Sequence, residues 1–213
     1  MSSSLIFDSI TTEAMQHVWN RTPRSFQLNT ISHVIRMRCH PHNPQATLLV
    51  QGTGGGKSTV HQTIGTVDGG VTVVIEPTLS LGADQSSKID LADTSSKLVK
   101  SFQLDGIKNP KSREDLNEFL CSLSPTTNAS IFLFLSPEEL LKKPWCNLLI
   151  HLISKNILRL VCIDEVHQFV LFGTTFRKAF CLLKKALFDH VIDKKNPSNS
   201  SLSLPIFRNV PLG

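Results

Sequence analysis

The chain lacks any apolar run near the roughly 20 residues that a membrane-crossing helix requires; its longest, such as 131–135, are a handful of residues. The N-terminal MSSSLIFDSI has neither the basic start nor the long apolar stretch of a secretory leader. The five cysteines, Cys39, Cys121, Cys146, Cys162 and Cys181, include no CxxC pair and are odd in number. That argues against a disulfide framework and for a reducing compartment. Cys39, His40 and His42 lie close together, but no fourth ligand has the spacing of a tetrahedral zinc site. Charged residues are only 18% and hydrophobic ones 40%, which excludes disorder and fibrous repeats. These absences leave a soluble intracellular protein. Its 213 residues suit one domain with a core that needs no metal or disulfide. A net charge of +5 leans weakly toward polyanionic partners such as nucleic acid or nucleotides.

Short, almost wholly apolar runs at 46–50, 71–75, 131–135 and 158–163 read as strands of a parallel sheet covered on both faces. Helical patterns alternate with them. Ser25 can cap a helix with Leu28, Ile31, Val34 and Ile35 on one stripe. Residues 57–64 follow a glycine run, Ser112 and Asp115 suggest a capping box ahead of Leu116, and 145–153 and 176–188 are apolar at helical spacing. Strands alternating with helices imply βαβ units and an α/β fold in three layers, a mostly parallel central sheet flanked by helices. Residues 1–20 read as an N-terminal extension or helix and 21–213 as a single domain. The polar segment 193–203 reads as a surface loop before a last apolar run at 204–207.

Residues 50–60, VQGTGGGKSTV, place a strand end, a glycine-rich turn and a helix start in the order of a P-loop. Gly52, Gly54, Gly55 and Gly56 carry no Cβ, so the backbone can curl and aim several N–H groups inward. With the positive end of the following helix, those donors form a nest for β- and γ-phosphates. Lys57 adds a cation for the phosphates and Ser58 a hydroxyl for Mg²⁺. Thr53 and Thr59 complete the expected nucleotide-binding stretch. The strict pattern would have Gly at position 51, where Gln51 stands, but the core Gly-Lys-Ser is intact. A GTPase or small-molecule kinase fits less well, because no guanine-selecting Asn/Thr-Lys-x-Asp is present.

Residues 158–167, LRLVCIDEVH, end an apolar strand in two carboxylates. At the carboxyl edge of a P-loop sheet, Asp164 would hold Mg²⁺ and Glu165 would orient and deprotonate the attacking water. His167 would couple that site to a neighbouring strand or to nucleic acid. The glycine bend and the carboxylate pair are expected to meet at one triphosphate–magnesium pocket from adjoining strands.

With GTGGGKS and DEVH in place, the sequence resembles the first RecA-like, ATP-binding lobe of superfamily 2 helicases, the DEAD/DEAH-box-like class, and within it the RecQ family. Arg24-Ser25-Phe26-Gln27 is similar to the segment before the P-loop in which an Arg and a Gln recognise adenine, Gln27 pairing with the base edge. VVIEPTLSLGADQ at 73–85 is similar to motif Ia, with Pro77, Ser80 and Gln85 matching positions that the resemblance implies contact single-stranded DNA. FLSPEEL at 134–140 resembles motif Ib, although Pro137 also suits a helix start. HQFVLFGTTFRKAF at 167–180 resembles the aromatic-rich loop after the DExH box. There Phe172 and Phe176 would either stack on bases or pack in the core, and Arg177 would contact DNA.

The resemblance spans about 20–180 and implies binding of ATP, Mg²⁺ and single-stranded DNA, with nuclear placement only if the source is eukaryotic. It departs at the C-terminal end, where LPIFRNV at 204–210 shows no Ser/Thr-Ala-Thr motif, and no second RecA-like lobe follows. The expectation is therefore an ATP-binding helicase lobe whose unwinding needs a second lobe. The alternative is a truncated, non-catalytic nucleotide- or nucleic-acid-binding module.

Overall fold

A computed structural model describes residues 3–38, 46–52, 54–76, 79–90, 98–164 and 206–212, the last stretch as backbone only. Helix α1 (Ser3–Trp19) and helix α2 (Ser25–Arg38) precede strand β1 (Ala46–Gly52) and helix α3 (Lys57–Asp68). Strand β2 (Gly70–Ile75), helix α4 (Leu79–Asp90) and strand β3 (Leu98–Gln103) follow. Helix α5 (Pro110–Ser122), strand β4 (Ala129–Leu135), the short helix α6 (Pro137–Leu140) and helix α7 (Lys143–Ser154) lead to strands β5 (Leu158–Ile163) and β6 (Ile206–Leu212).

The six strands form one sheet in the order β1-β6-β5-β2-β4-β3, and every pairing is parallel. All carboxyl ends therefore lie along one edge. The period of two along each strand divides the interior between two faces. Val73, Ile75, Ile131, Leu133 and Leu135 pack with Leu116 and Leu120 of α5 and Leu148, Leu149 and Leu152 of α7. Val74, Phe132 and Phe134 point the other way and pack with Met15 of α1, Ile31 and Val34 of α2, and Val60 and Ile64 of α3. This is the expected three-layer α/β arrangement.

The four expected strands are present. Full coverage of both faces holds for β4, buried at every position, but not for the edges. In β1, Leu49 is buried while Leu48 is 58% exposed among the described residues. Edge strand β3, absent from the sequence reading, is exposed at Leu98 and Lys100 and half-buried at its other positions.

Helix α5 corrects one local expectation. Its cap is Asn109, whose Oδ1 accepts from the Lys111 N–H at 3.0 Å, and Ser112 lies inside the first turn. Pro110 decides this: with no N–H to donate and a fixed φ, it suits the first helical position, which puts the cap just before it.

Helix α1 docks on the same face of the sheet as α2 and α3. Its Met15 is 1% exposed, and Trp19 donates its indole N–H to Thr63 Oγ1 on α3 at 3.0 Å. Among the described residues no helix is long and apolar enough to cross a membrane.

Candidate functional site

The site grows from the turn between β1 and α3. Gly54 and Gly56 take positive φ values of 72° and 89°, a region where a Cβ is costly. Gly55 closes the bend by donating to Gly52 O at 3.1 Å, and a Cβ on it would come within 2.9 Å of that same oxygen. The glycines are thus required by the shape of the bend.

Helix α2 braces this bend. The Arg24 guanidinium donates to Gly55 O at 2.9 Å, and the Gln27 amide donates to Gly56 O at 3.0 Å. Gln27 Oε1 in turn accepts from the Arg24 backbone N–H at 2.9 Å, and the side chain is only 5% exposed. The described peptide bonds are all trans, so each N–H points opposite to its own unit's C=O. Anchoring the carbonyls of Gly55 and Gly56 toward α2 therefore turns the N–H groups of Gly56 and Lys57 away from it. Arg24 and Gln27, expected to read adenine, hydrogen-bond to the carbonyls of the glycine bend.

Lys57 opens α3 and is 8% exposed, with its ammonium donating to Gln51 O at 3.1 Å and Gly52 O at 3.2 Å. No side chain caps this helix start and its first turn holds no acidic residue. A buried cation is thereby set beside the positive end of a helix dipole and its unpaired N–H groups, an arrangement that an anion relieves. Ser58, half-buried, and Thr59, 6% exposed, follow on the first turn. The residues fit a nucleotide triphosphate with Mg²⁺: N–H donors and a cation for phosphate, and hard oxygens from Ser58 and Asp164 for the metal. No cluster of three His, Cys, Asp or Glu side chains exists among the described residues to hold a metal by protein ligands alone.

Asp164 follows β5 at the carboxyl edge, 3% exposed, its N–H donating to Ile75 O of β2 at 2.9 Å. The P-loop strand and the Asp164 strand are not adjoining, as the sequence suggested; β6 runs between β1 and β5. One intervening strand adds about 5 Å. The two sides nevertheless meet through α4. Gln85 of α4 donates to Asp164 Oδ2 at 3.1 Å, and its Oε1 lies 3.1 Å from His61 Nε2 on α3. Ser58 and His61 are three residues apart, hence neighbours on one helix face. Asp164 is thus one amide away from the face of α3 that carries Ser58.

Gln85 was expected at a nucleic-acid surface, but it is 2% exposed and turned inward. Ser80 lies on α4, where only its backbone is described. Thr53, Pro77, Glu165, His167, Phe172, Phe176 and Arg177 lie outside the described residues, as does the Cys39-His40-His42 group.

The sequence reading passed over His61 and Glu76. His61 is fully buried, and burial pushes its pKa down to about 4, against the opposing pull of Asp164 and of the hydrogen bond to Gln85. Glu76, 2% exposed, ends β2 as Asp164 ends β5, so the signal used for one carboxylate was present for the other. Burial, then Asp164, then Glu76 push the Cys162 thiol well up, which keeps it protonated beside them.

Comparison with known proteins agrees with this geometry. Mouse ATP-dependent DNA helicase Q5 is 26% identical over 131 residues, which cover 62% of this chain and 12% of that protein. The ATP-dependent DNA helicase RecQ of Synechocystis sp. is 33% identical over 133 residues, covering 62% of this chain and 25% of the relative. This chain is similar to RecQ helicases. The match reaches only an eighth to a quarter of those relatives' lengths. No protein-family model matches the chain. The crystal structure of the DUF1998 helicase MrfA superposes with a TM-score of 0.57 at 16% identity, over 96% of this chain and 29% of that one. That likeness supports the fold, a RecA-like P-loop domain.

Proposed function

We propose that the chain is the ATP-binding lobe of a RecQ-like ATP-dependent DNA helicase. The observation that carries this reading is Lys57: a buried cation at an uncapped helix start, on a glycine bend whose carbonyls are drawn toward α2. Triphosphate oxygens supply the anion that the first turn of α3 does not carry among the described residues. Resemblance to RecQ helicases chooses ATP over other nucleotides and adds single-stranded DNA as the second ligand.

Within this reading the bend and Lys57 hold the β- and γ-phosphates, while Arg24 and Gln27 keep the bend open and border the base. Thr53 and Thr59 flank the phosphates. Ser58 and Asp164 hold Mg²⁺, which when bound neutralises phosphate charge and aligns the terminal phosphoryl group. Glu165 orients the water and takes its proton, and His167 carries the state of the site toward neighbouring strands. Pro77, Ser80, Phe172, Phe176 and Arg177 are the positions that the resemblance sets against DNA. Residues 21–213 form the lobe, with 1–20 as its N-terminal helix.

The test is a nucleotide titration followed by turnover. Wild type binds Mg-ATP, and Lys57→Ala weakens binding by roughly 10- to 100-fold, the loss of a charge-assisted hydrogen bond at ~1.5–3 kcal/mol. Single-stranded DNA raises ATP turnover, and Glu165→Gln abolishes it. Equal affinity in wild type and Lys57→Ala removes the basis of the assignment. ATP binding without any DNA-stimulated turnover, even with a second lobe supplied, favours a non-catalytic module.

A further inference from the structure

Three elements meet at the Gln85 side chain. It projects from α4, reaches Asp164 at the end of β5, and contacts His61 and Gln62 on α3. Gln85 turns its amide nitrogen to Asp164 Oδ2 at 3.1 Å. Its oxygen then faces α3, where it takes His61 Nε2 at 3.1 Å and Gln62 Nε2 at the longer 3.5 Å. His61 must therefore donate from Nε2. Its Nδ1 has no hydrogen-bond partner among the described residues, which fits the neutral ring with the proton on Nε2. Gln85 and His61 are 2% and 0% exposed, so neither can exchange its partner for water without opening the packing. The direction of the amide is set at both ends.

We propose that Gln85, held by His61, is a positioning residue for Asp164, so that the placement of α4 sets the reach of the magnesium-side carboxylate. This rests on the nucleotide-site reading and deepens it. It also gives Gln85 a different task from the one the RecQ resemblance implies: the side chain serves the metal side of the site from within rather than touching DNA. A ligand that shifts α4 then moves the amide and, with it, Asp164.

The experiment uses the full chain and a fluorescent ATP analogue, titrated in EDTA and in Mg²⁺, for wild type, Gln85→Met and Gln85→Leu. Fluorescence anisotropy with a single-stranded oligonucleotide runs in parallel. Outer partners of metal ligands typically carry 10- to 100-fold in metal affinity. Both variants should therefore lose about tenfold or more of the gain in affinity that Mg²⁺ brings, with affinity in EDTA and for DNA unchanged within about twofold. An intact Mg²⁺ gain overturns the proposal, as does loss of DNA affinity with that gain preserved. Nitrogen-15 NMR of wild-type His61 supplies a readout that needs neither a folded variant nor a bound nucleotide. The Nε2–H tautomer is expected, and an Nδ1–H tautomer breaks the relay. If wild type binds no nucleotide in either medium, the site reading fails and takes this inference with it. A normal wild-type titration with unaltered variants sinks the relay alone.

Discussion

Lowering the pH from 7 toward 4 should drain stability from this fold through His61. The ring is 0% exposed, and burial draws its pKa from 6.5 to about 4. Asp164 and the Gln85 hydrogen bond pull the other way, but burial outweighs them. In the unfolded chain the same ring takes a proton near 6.5. Between those values the unfolded state binds a proton that the folded state refuses, so unfolding becomes easier as pH falls. Stability from this residue is complete above 6.5, declines through 5, and is lost by about 4. At 1.36 kcal/mol per pH unit, the gap from 6.5 to about 4 comes to about 3 kcal/mol. That is a large part of the 5–15 kcal/mol typical of a domain. Urea unfolding followed by circular dichroism at pH 7.5, 6.5, 5.5 and 4.5 measures it, with His61→Leu as the non-titrating reference. Whatever absolute stability the leucine loses, carboxylates remote from the ring cancel in the difference between the two curves, while Asp164, which interacts with His61, contributes to that difference. The difference should slope by about 1.4 kcal/mol per pH unit below 6.5. Parallel curves would refute the reasoning, and so would NMR showing the folded-state ring protonating near 6.5.

Gly56→Ala should damage the phosphate bend more than it damages the fold. At φ 89° the added Cβ meets Gln27 Nε2 at 2.7 Å, so the brace to Gly56 O must break and the backbone carries about 1–2 kcal/mol of left-handed strain. Nucleotide affinity should fall about tenfold or more while far-UV dichroism is retained, and unchanged affinity would show that the Gln27 brace is dispensable. On the opposite face, Glu139 is 4% exposed, pairs with Lys142 and accepts from Trp145 Nε1 at 2.8 Å. Glu139→Gln keeps an acceptor for the indole and should cost little. Glu139→Leu leaves a buried N–H unpaired and should cost about 1–3 kcal/mol, read as a lower melting temperature with ATP affinity unaltered.

The sequence made the centre of the sheet legible and its margins obscure, for a physical reason. β2, β4 and β5 are covered on both faces, so their residues are almost wholly apolar and announce themselves. β3 lies at the edge, where Lys100 and Ser101 are tolerated and the apolar run dissolves. β6 includes Arg208, Asn209 and Pro211, none of which reads as interior strand. Pairing explains it: among the described residues β5 accompanies β6 only over Ile206 to Arg208, so Pro211 pairs with β1 alone, where a missing N–H is tolerated.

Gln85 shows the limit of resemblance more sharply. The motif resemblance set Gln85 against DNA but could not say which way the side chain turns, and a buried hydrogen bond to Asp164 stands there. The direction was nonetheless written in the helix period. Gly82, Gln85 and Ile89 are spaced three and four apart, and all three are buried. Asp84 and Lys88, four apart on the other side, form an ion pair with side chains 61% and 63% exposed. A glutamine sharing a stripe with a glycine and an isoleucine belongs inside, and there its amide must find partners. Its partners lie on α3, which follows the glycine bend, and at the end of β5. Periodicity thus assigns the side, burial demands the hydrogen bonds, and the hydrogen bonds join α4 to Asp164. A DNA-contacting role for this helix must then rest on its outward residues, since Gln85 is committed to Asp164 and His61.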